Sequence, residues 1–217
     1  MYIDHSVWRK WDLIRGVMRG IKTGDVKVSI IEESIKLFLS NGYKGTSVKS
    51  ITEAAAIGRG TLYWYFKSKD EILISIFEKW EKEFVQSLIN AVNDREGNFV
   101  AKYRAFHKYA TEFGRDHREL AIVFNTLINE IVGTNTEAER VAKKAYGKFR
   151  EFAERMLEDG KRDGSVRPDL NSNVYAHVII ACHMAMAVEW HVFGEALDVG
   201  PFVRAFRDMI LRSVAEG

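Results

Sequence analysis

The chain has 217 residues, 47% hydrophobic and 29% charged, with a net charge of +2. Those values are ordinary for a soluble globular protein and leave room for one large domain or two small ones. The lone cysteine, Cys182, excludes an intrachain disulfide and suits a reducing cytoplasm.

Two prolines, abundant helix formers and apolar residues recurring about every 3.6 positions predict an all-α fold. Residues 1–24 open it with a helical stripe of Val7, Trp8, Trp11, Ile14, Val17, Met18 and Ile21, among basic residues. The preferred reading is an extra helix packed on the body or on a partner subunit. A basic arm reaching DNA and an interfacial membrane contact are the sharper alternatives. The charges scattered through it argue against a secretory signal.

Thr23-Gly24-Asp25 then punctuates the chain, and a helix is expected to about Ser40, burying Ile31, Ile35, Phe38 and Leu39. Gly42 suits a left-handed helix end. Thr46 or Ser47 can cap a short helix striped by Val48, Ile51 and Ala55. A break at Ala56-Ile57-Gly58 leads to a second short helix, about Arg59 to Tyr65, with Leu62 and Phe66 turned to the core. Two short helices joined by a tight turn describe a helix-turn-helix over 47–66. Its second helix would enter the major groove, where Arg59 can pair with guanine or phosphate, and Thr61, Tyr63, Trp64 and Tyr65 can reach phosphates or thymine methyls. Residues 1–70 carry a net +5 and the remainder −3, so positive charge gathers on this half.

The segment resembles the DNA-binding signature of the tetracycline-repressor (TetR) family. The residues that carry the likeness are Gly42, Thr46, Val48, Ile51, Ala55, Gly60-Thr61-Leu62-Tyr63, Tyr65-Phe66 and Ser68-Lys69, within about Ile30 to Phe77. Ala56 stands where the family's turn carries glycine, and Gly58 where it carries a Ser or Thr cap. The resemblance implies DNA-facing roles for Thr61, Tyr63 and the Trp64 position. Thr46, Ser47, Lys49 and Gly60 join them at the expected surface, and Lys69, opening the connecting helix, is a phosphate candidate.

Ser68 and Glu71 have capping-box spacing and start a helix running to about Val92 through Ile72, Ile76, Trp80 and Phe84. Asn93 to Asn98 is a polar break. Helices follow over about Phe99–Phe113, from an Asp116/Glu119 box to about Val132, and from a Thr136/Glu139 box to about Asp159. A loop is expected over Gly160–Asn171, then an unusually apolar helix from Ser172 to about Phe193, and a last helix started by Gly200-Pro201 and striped by Phe202, Phe206, Met209 and Ile210. The apolar run Val178–Val188 is too short to span a bilayer. A helix apolar on nearly all faces must be covered on all sides, and the resemblance implies a four-helix dimer interface from the last two helices.

The expected layout is thus an extension over 1–24, a DNA-binding domain over 25–70 and a ligand-binding and dimerisation domain over 71–217. Tyr103, Phe106, His107, Phe124, Asn125, Ile128, His177 and Trp190 are the candidates for a small-molecule site, alongside Leu127. His177, Cys182, His183, Glu189 and His191 form no paired ligand motif, so no metal or cofactor is expected, and no Walker loop, HExxH or nucleophile elbow signals an enzyme. Together these features point to a cytoplasmic, homodimeric, ligand-responsive regulator binding a palindromic operator in double-stranded DNA. In the resembled family such regulators are most often repressors. The alternative is a helical adaptor of the same fold working through protein or lipid contacts.

Overall fold

A computed structural model describes residues 23–215, so the stripe expected over residues 1–24 lies almost wholly outside the described residues. The helices are α1 (Thr23–Gly45), α2 (Val48–Ala54), α3 (Arg59–Tyr65), α4 (Lys69–Trp80), α5 (Ser87–Asn93), α6 (Phe99–Asp116), α7 (Arg118–Ile131), α8 (Glu137–Arg162), α9 (Ser172–Phe193) and α10 (Val199–Val214). No strand occurs among the described residues, which are all-α as expected.

α1 begins inside the expected punctuation and buries Ile30, Ser34, Ile35 and Phe38, one register step from the predicted stripe; Ile31 and Leu39 are half-buried at its edge. The helix breaks at Gly42, whose φ of +72° favours glycine. α2 is capped by Ser47, whose hydroxyl accepts from the Ser50 amide while the Ser50 hydroxyl accepts from Ser47 N–H. α2 ends in a Schellman turn: Ala56 N–H donates to Glu53 O and Ile57 N–H to Thr52 O. Ala56 therefore sits at φ +53°, a left-handed conformation that costs alanine about 1 kcal/mol relative to glycine. Gly58 caps α3, and Leu62 and Phe66 are buried beneath it.

α4 runs into a π-turn, Glu81–Gln86, and on into α5, making one long connecting element. The π-turn has no sequence signal; it swings Trp80 and Phe84 toward the same aromatic core, with ring centroids 5.4 Å apart. Around it, α4 packs on α7 and α8, α1 on α7, and α9 on α7 and α8.

Ser68 and Thr136 cap their helices as expected, but the acidic partners of the expected capping boxes choose other donors. Ser68 accepts from Glu71 N–H, but Glu71 reaches back to Lys67 N–H. Asp116 pairs with Arg115, and His117 stands at the N-cap of α7 without a side-chain cap bond. Thr136 caps α8, while buried Glu139 accepts from the amides of Gly133 and Asn135 and pairs with Lys143. Those contacts, Lys143 foremost, hold the Glu139 carboxyl down to about 2. α8 also extends past the expected loop start: a Cβ at Gly160 would lie 2.5 Å from Val166 and 2.7 Å from Phe99, so glycine there lets the α6 start and the following loop close onto the helix. In α10, Phe206, Ile210, Leu211 and Val214 are buried, Phe202 is half-buried and Met209 is exposed.

Candidate nucleic-acid interface and ligand cavity

α3 is anchored by Leu62 and Phe66, so its remaining faces point outward. Arg59, Gly60, Thr61, Tyr63 and Trp64 are exposed, with Trp64 at 73% of its surface, and Tyr65 is half-buried. Trp64 meets Tyr65 edge to face at 4.5 Å, which steadies a large ring that nothing else covers. Ser47, which caps α2, and Lys49, on α2, are exposed as well.

Two expected contacts are placed differently. Thr46 is buried and donates its hydroxyl toward Leu37 O at 3.1 Å and Gly42 O at 2.8 Å, so its side chain braces α1 from within. The Lys69 ammonium donates to Tyr43 O at 2.7 Å and Thr46 O at 2.8 Å and lies 4.2 Å from the centre of the Tyr43 ring. It ties the α1–α2 junction together instead of standing free, and burial lowers its pKa. The same junction is gripped from the body: Glu130 on α7 accepts from Tyr43 N–H at 2.9 Å and Lys44 N–H at 3.3 Å. Sequence reading missed this clamp because its partners lie far apart in the chain.

In the body, Trp80, Phe84, Phe113, Met184, Met186 and Trp190, with Ala110, Gly114, Ala121, Ala187 and His183, line a cavity of about 30 Å³. Of the residues proposed from sequence, Trp190 lines it. Phe124 backs it, stacked on Trp80 at 3.9 Å. Tyr103, Phe106 and His107 are buried in the adjoining core, Leu127 is core, Ile128 is half-buried, and Asn125 donates to Met184 O at 3.1 Å, tying α7 to α9. His177 is exposed and does not reach the cavity; the inward histidine of α9 is His183. On an apolar helix carrying three histidines the sequence does not reveal which faces in.

His107 and His183 meet at 3.4 Å between Nδ1 and Nε2. His183 Nδ1 lies 2.8 Å from Ile179 O and His107 Nε2 lies 2.8 Å from Val203 O, so the pair joins α6, α9 and α10. Burial pushes His107 down to about 4 and His183 to about 3, leaving both neutral at ordinary pH. Among the described residues no three His, Cys, Asp or Glu side chains gather as a metal site would require.

α9 divides cleanly. Ala176, Ile179, Ile180, His183 and Met186 face in. Val174, Val178, Ala181, Ala185, Val188 and Val192 are exposed, at alternating spacings of four and three, the a/d rhythm of a helix seam. By length and composition this 22-residue helix could cross a bilayer, unlike the shorter run singled out in the sequence. Its inner face is instead seated on α7 and α8.

Residues 30–76 match the family described as "Bacterial regulatory proteins, tetR family". The uncharacterized HTH-type transcriptional regulator YhgD of Bacillus subtilis is 28% identical over 174 residues, 80% of this chain and 88% of the relative. The HTH-type transcriptional repressor KstR2 of Rhodococcus jostii is 26% identical over 200 residues, 87% and 91% of the two chains. Among solved structures, the MbdR regulator from Azoarcus sp. CIB superposes with a TM-score of 0.77 at 25% identity, covering 86% of this chain and 97% of that one. These relatives are regulators, not enzymes.

Proposed function

The chain belongs to the TetR family of transcriptional regulators, and from that premise we propose that it is a cytoplasmic homodimeric repressor, released from a palindromic operator when a small, largely apolar molecule enters the body. The observation that carries this reading is the outward display of Arg59, Thr61, Tyr63 and Trp64 on a short helix locked to the core by Leu62 and Phe66. A cation, hydroxyls and aromatic faces on one protruding helix match phosphate, base edges and thymine methyls in a major groove.

In this reading residues 25–70 grip DNA, with Ser47, Lys49 and Gly60 beside α3, and residues 71–217 hold the effector and the partner subunit. The aliphatic seam of α9, together with exposed Met209 of α10, supports pairing with a second copy, since identical stripes complement each other about a twofold axis. Twofold pairing sets two α3 helices on successive major grooves, about 34–36 Å apart. Glu130 supports the coupling: it sits on α7, against which the cavity-lining α9 packs, and holds the end of α1 that carries the helix-turn-helix. An effector acts by binding one geometry of this linkage better than the other. The repressor sign follows the relative named as a repressor.

The test is selection of bound duplexes from a random pool by the purified chain. The expected result is a palindrome bound with steep salt dependence, and loss of that binding in Arg59→Ala and Tyr63→Ala. A monomeric protein with no preference among duplexes would overturn the reading and leave the adaptor alternative standing.

A further inference from the structure

Two neutral imidazoles carry two N–H protons, yet His107 and His183 make three contacts that each call for one. The contacts to Ile179 O and Val203 O are both 2.8 Å, and the contact between the rings is 3.4 Å. The shorter pair fixes the tautomers, because a bare nitrogen at 2.8 Å from a carbonyl oxygen sets lone pair against lone pair. His183 therefore carries its proton on Nδ1 and His107 on Nε2. The nitrogens that face each other, Nδ1 of His107 and Nε2 of His183, are both acceptors with no donor between them.

A third group next to them has the opposite defect. Tyr103 is fully buried and its hydroxyl has no hydrogen-bond partner. Its ring centre lies 6.2 Å from that of His107 and 6.0 Å from that of His183. Native interiors rarely leave such groups unpaired, and where they do the deficiency asks for an explanation. Here the ring of a tyrosine whose hydroxyl lacks an acceptor packs against two imidazoles whose facing nitrogens lack a donor, and His183 also lines the cavity. The charged groups acting on this spot, Arg207 and Asp208 near His107, are of opposite sign and paired with each other at 2.9 Å.

We propose that the Tyr103–His107–His183 cluster binds the hydroxyl of a neutral effector, a phenol or an alcohol, whose apolar body lies in the adjoining cavity. The ligand O–H donates to a bare imidazole nitrogen, and its oxygen accepts from the Tyr103 hydroxyl. A carboxylate brings no proton for the histidines and a charge that no free cation offsets. The cavity must widen to admit such a molecule, and Met184 and Met186 are the adaptable walls that can move. The inference rests on the reading above that this cavity is the effector site.

Calorimetric titration of the full chain with 4-butylphenol, butylbenzene and 4-butylbenzoate tests it. The phenol is expected to bind at least about tenfold tighter than either analogue, because a site built to hydrogen-bond a hydroxyl discriminates against its absence. Tyr103→Phe should remove most of that preference, leave butylbenzene binding unchanged and not lower the thermal midpoint of the free protein, since it deletes an unpaired buried hydroxyl. Imidazole ¹⁵N spectra of the wild type keep the test decisive should that variant misfold: the resonances of the two bare nitrogens should move on adding the phenol and stay put with butylbenzene. Equal binding of phenol and butylbenzene, tighter binding of the benzoate, binding of none of the three, a preference that survives Tyr103→Phe, or static ¹⁵N resonances would each overturn it. Selective DNA binding without a phenol preference defeats this inference alone, whereas loss of selective DNA binding defeats the reading beneath it.

Discussion

Helices α3 and α9 both present large apolar or aromatic side chains to solvent, and they do so in opposite ways. α3 shows Tyr63 at 46% and Trp64 at 73% exposure, interleaved with Arg59 and Thr61, on a helix only seven residues long. α9 shows Val174, Val178, Val188 and Val192 with Ala181 and Ala185 between them, along 22 residues and with no charge in the row. Polar-tipped rings beside a cation suit a partner that is itself charged and hydrogen-bonding, such as a duplex. An aliphatic row at seam spacing suits a surface of its own kind. Exposure alone does not identify a partner; the chemistry mixed into the exposed row does.

The sharpest way to break this contrast is to put charge into the row that lacks it. If a second copy pairs through this row as proposed, Val178→Glu combined with Val188→Glu should leave the chain monomeric, read by analytical ultracentrifugation. Operator affinity should then fall by about 10²–10⁴, the avidity lost when one half-site remains. A charged double variant that stays dimeric would remove α9 from the interface. The converse change, Arg59→Ala, should weaken operator binding by about 10–100-fold and leave the dimer and its thermal midpoint untouched, because the side chain is exposed. If it also shifts the monomer–dimer balance, the two helices are not separate surfaces.

The two helices also differ in how far the chain announced them. The helix-turn-helix was legible because its determinants are local: Ser47 at a cap, Gly58 before a helix, and Leu62 with Phe66 four apart on one face. Even the awkward Ala56 was visible as a misfit, and the structure places it in the left-handed turn that the pattern demands. The body was legible as a count of helices and not as a site. On α9 nearly every residue is apolar, so periodicity does not say which half is covered, and exposed His177 was favoured over buried His183. The contacts of Lys69 were hidden for a related reason. Its place at a helix start suggested phosphate, but the carbonyls that hold it, Tyr43 and Thr46, belong to another helix and its following turn.

A finer cut through α3 is Tyr63→Phe, which keeps the ring and removes the hydroxyl. If the hydroxyl donates to a phosphate, operator affinity should drop by about 2–10-fold, the net worth of one ordinary hydrogen bond. An unchanged affinity would assign Tyr63 a purely apolar contact, and the distinction between α3 and α9 would narrow to Arg59 and Thr61.

A separate effect, on stability and not on DNA, lies on the hidden side of α9. Burial holds His107 at about 4 and His183 at about 3, below the ordinary 6.5 of an unfolded chain. As pH falls through about 6.5 the unfolded chain takes up protons that these two residues refuse in the fold, so stability present above that value is progressively lost toward pH 4 and below. Glu139, held at about 2, contributes stability that is intact above 4.5 and lost only below it, so it stays silent in this window. The thermal midpoint should therefore drop by roughly 10 °C between about pH 7 and about pH 5. His183→Leu should flatten that slope, and His177→Leu, on the exposed side, should not. Equal slopes in the two variants would mean that the inner face of α9 does not hold its histidine neutral, and the assignment of two bare, facing nitrogens would fall with it.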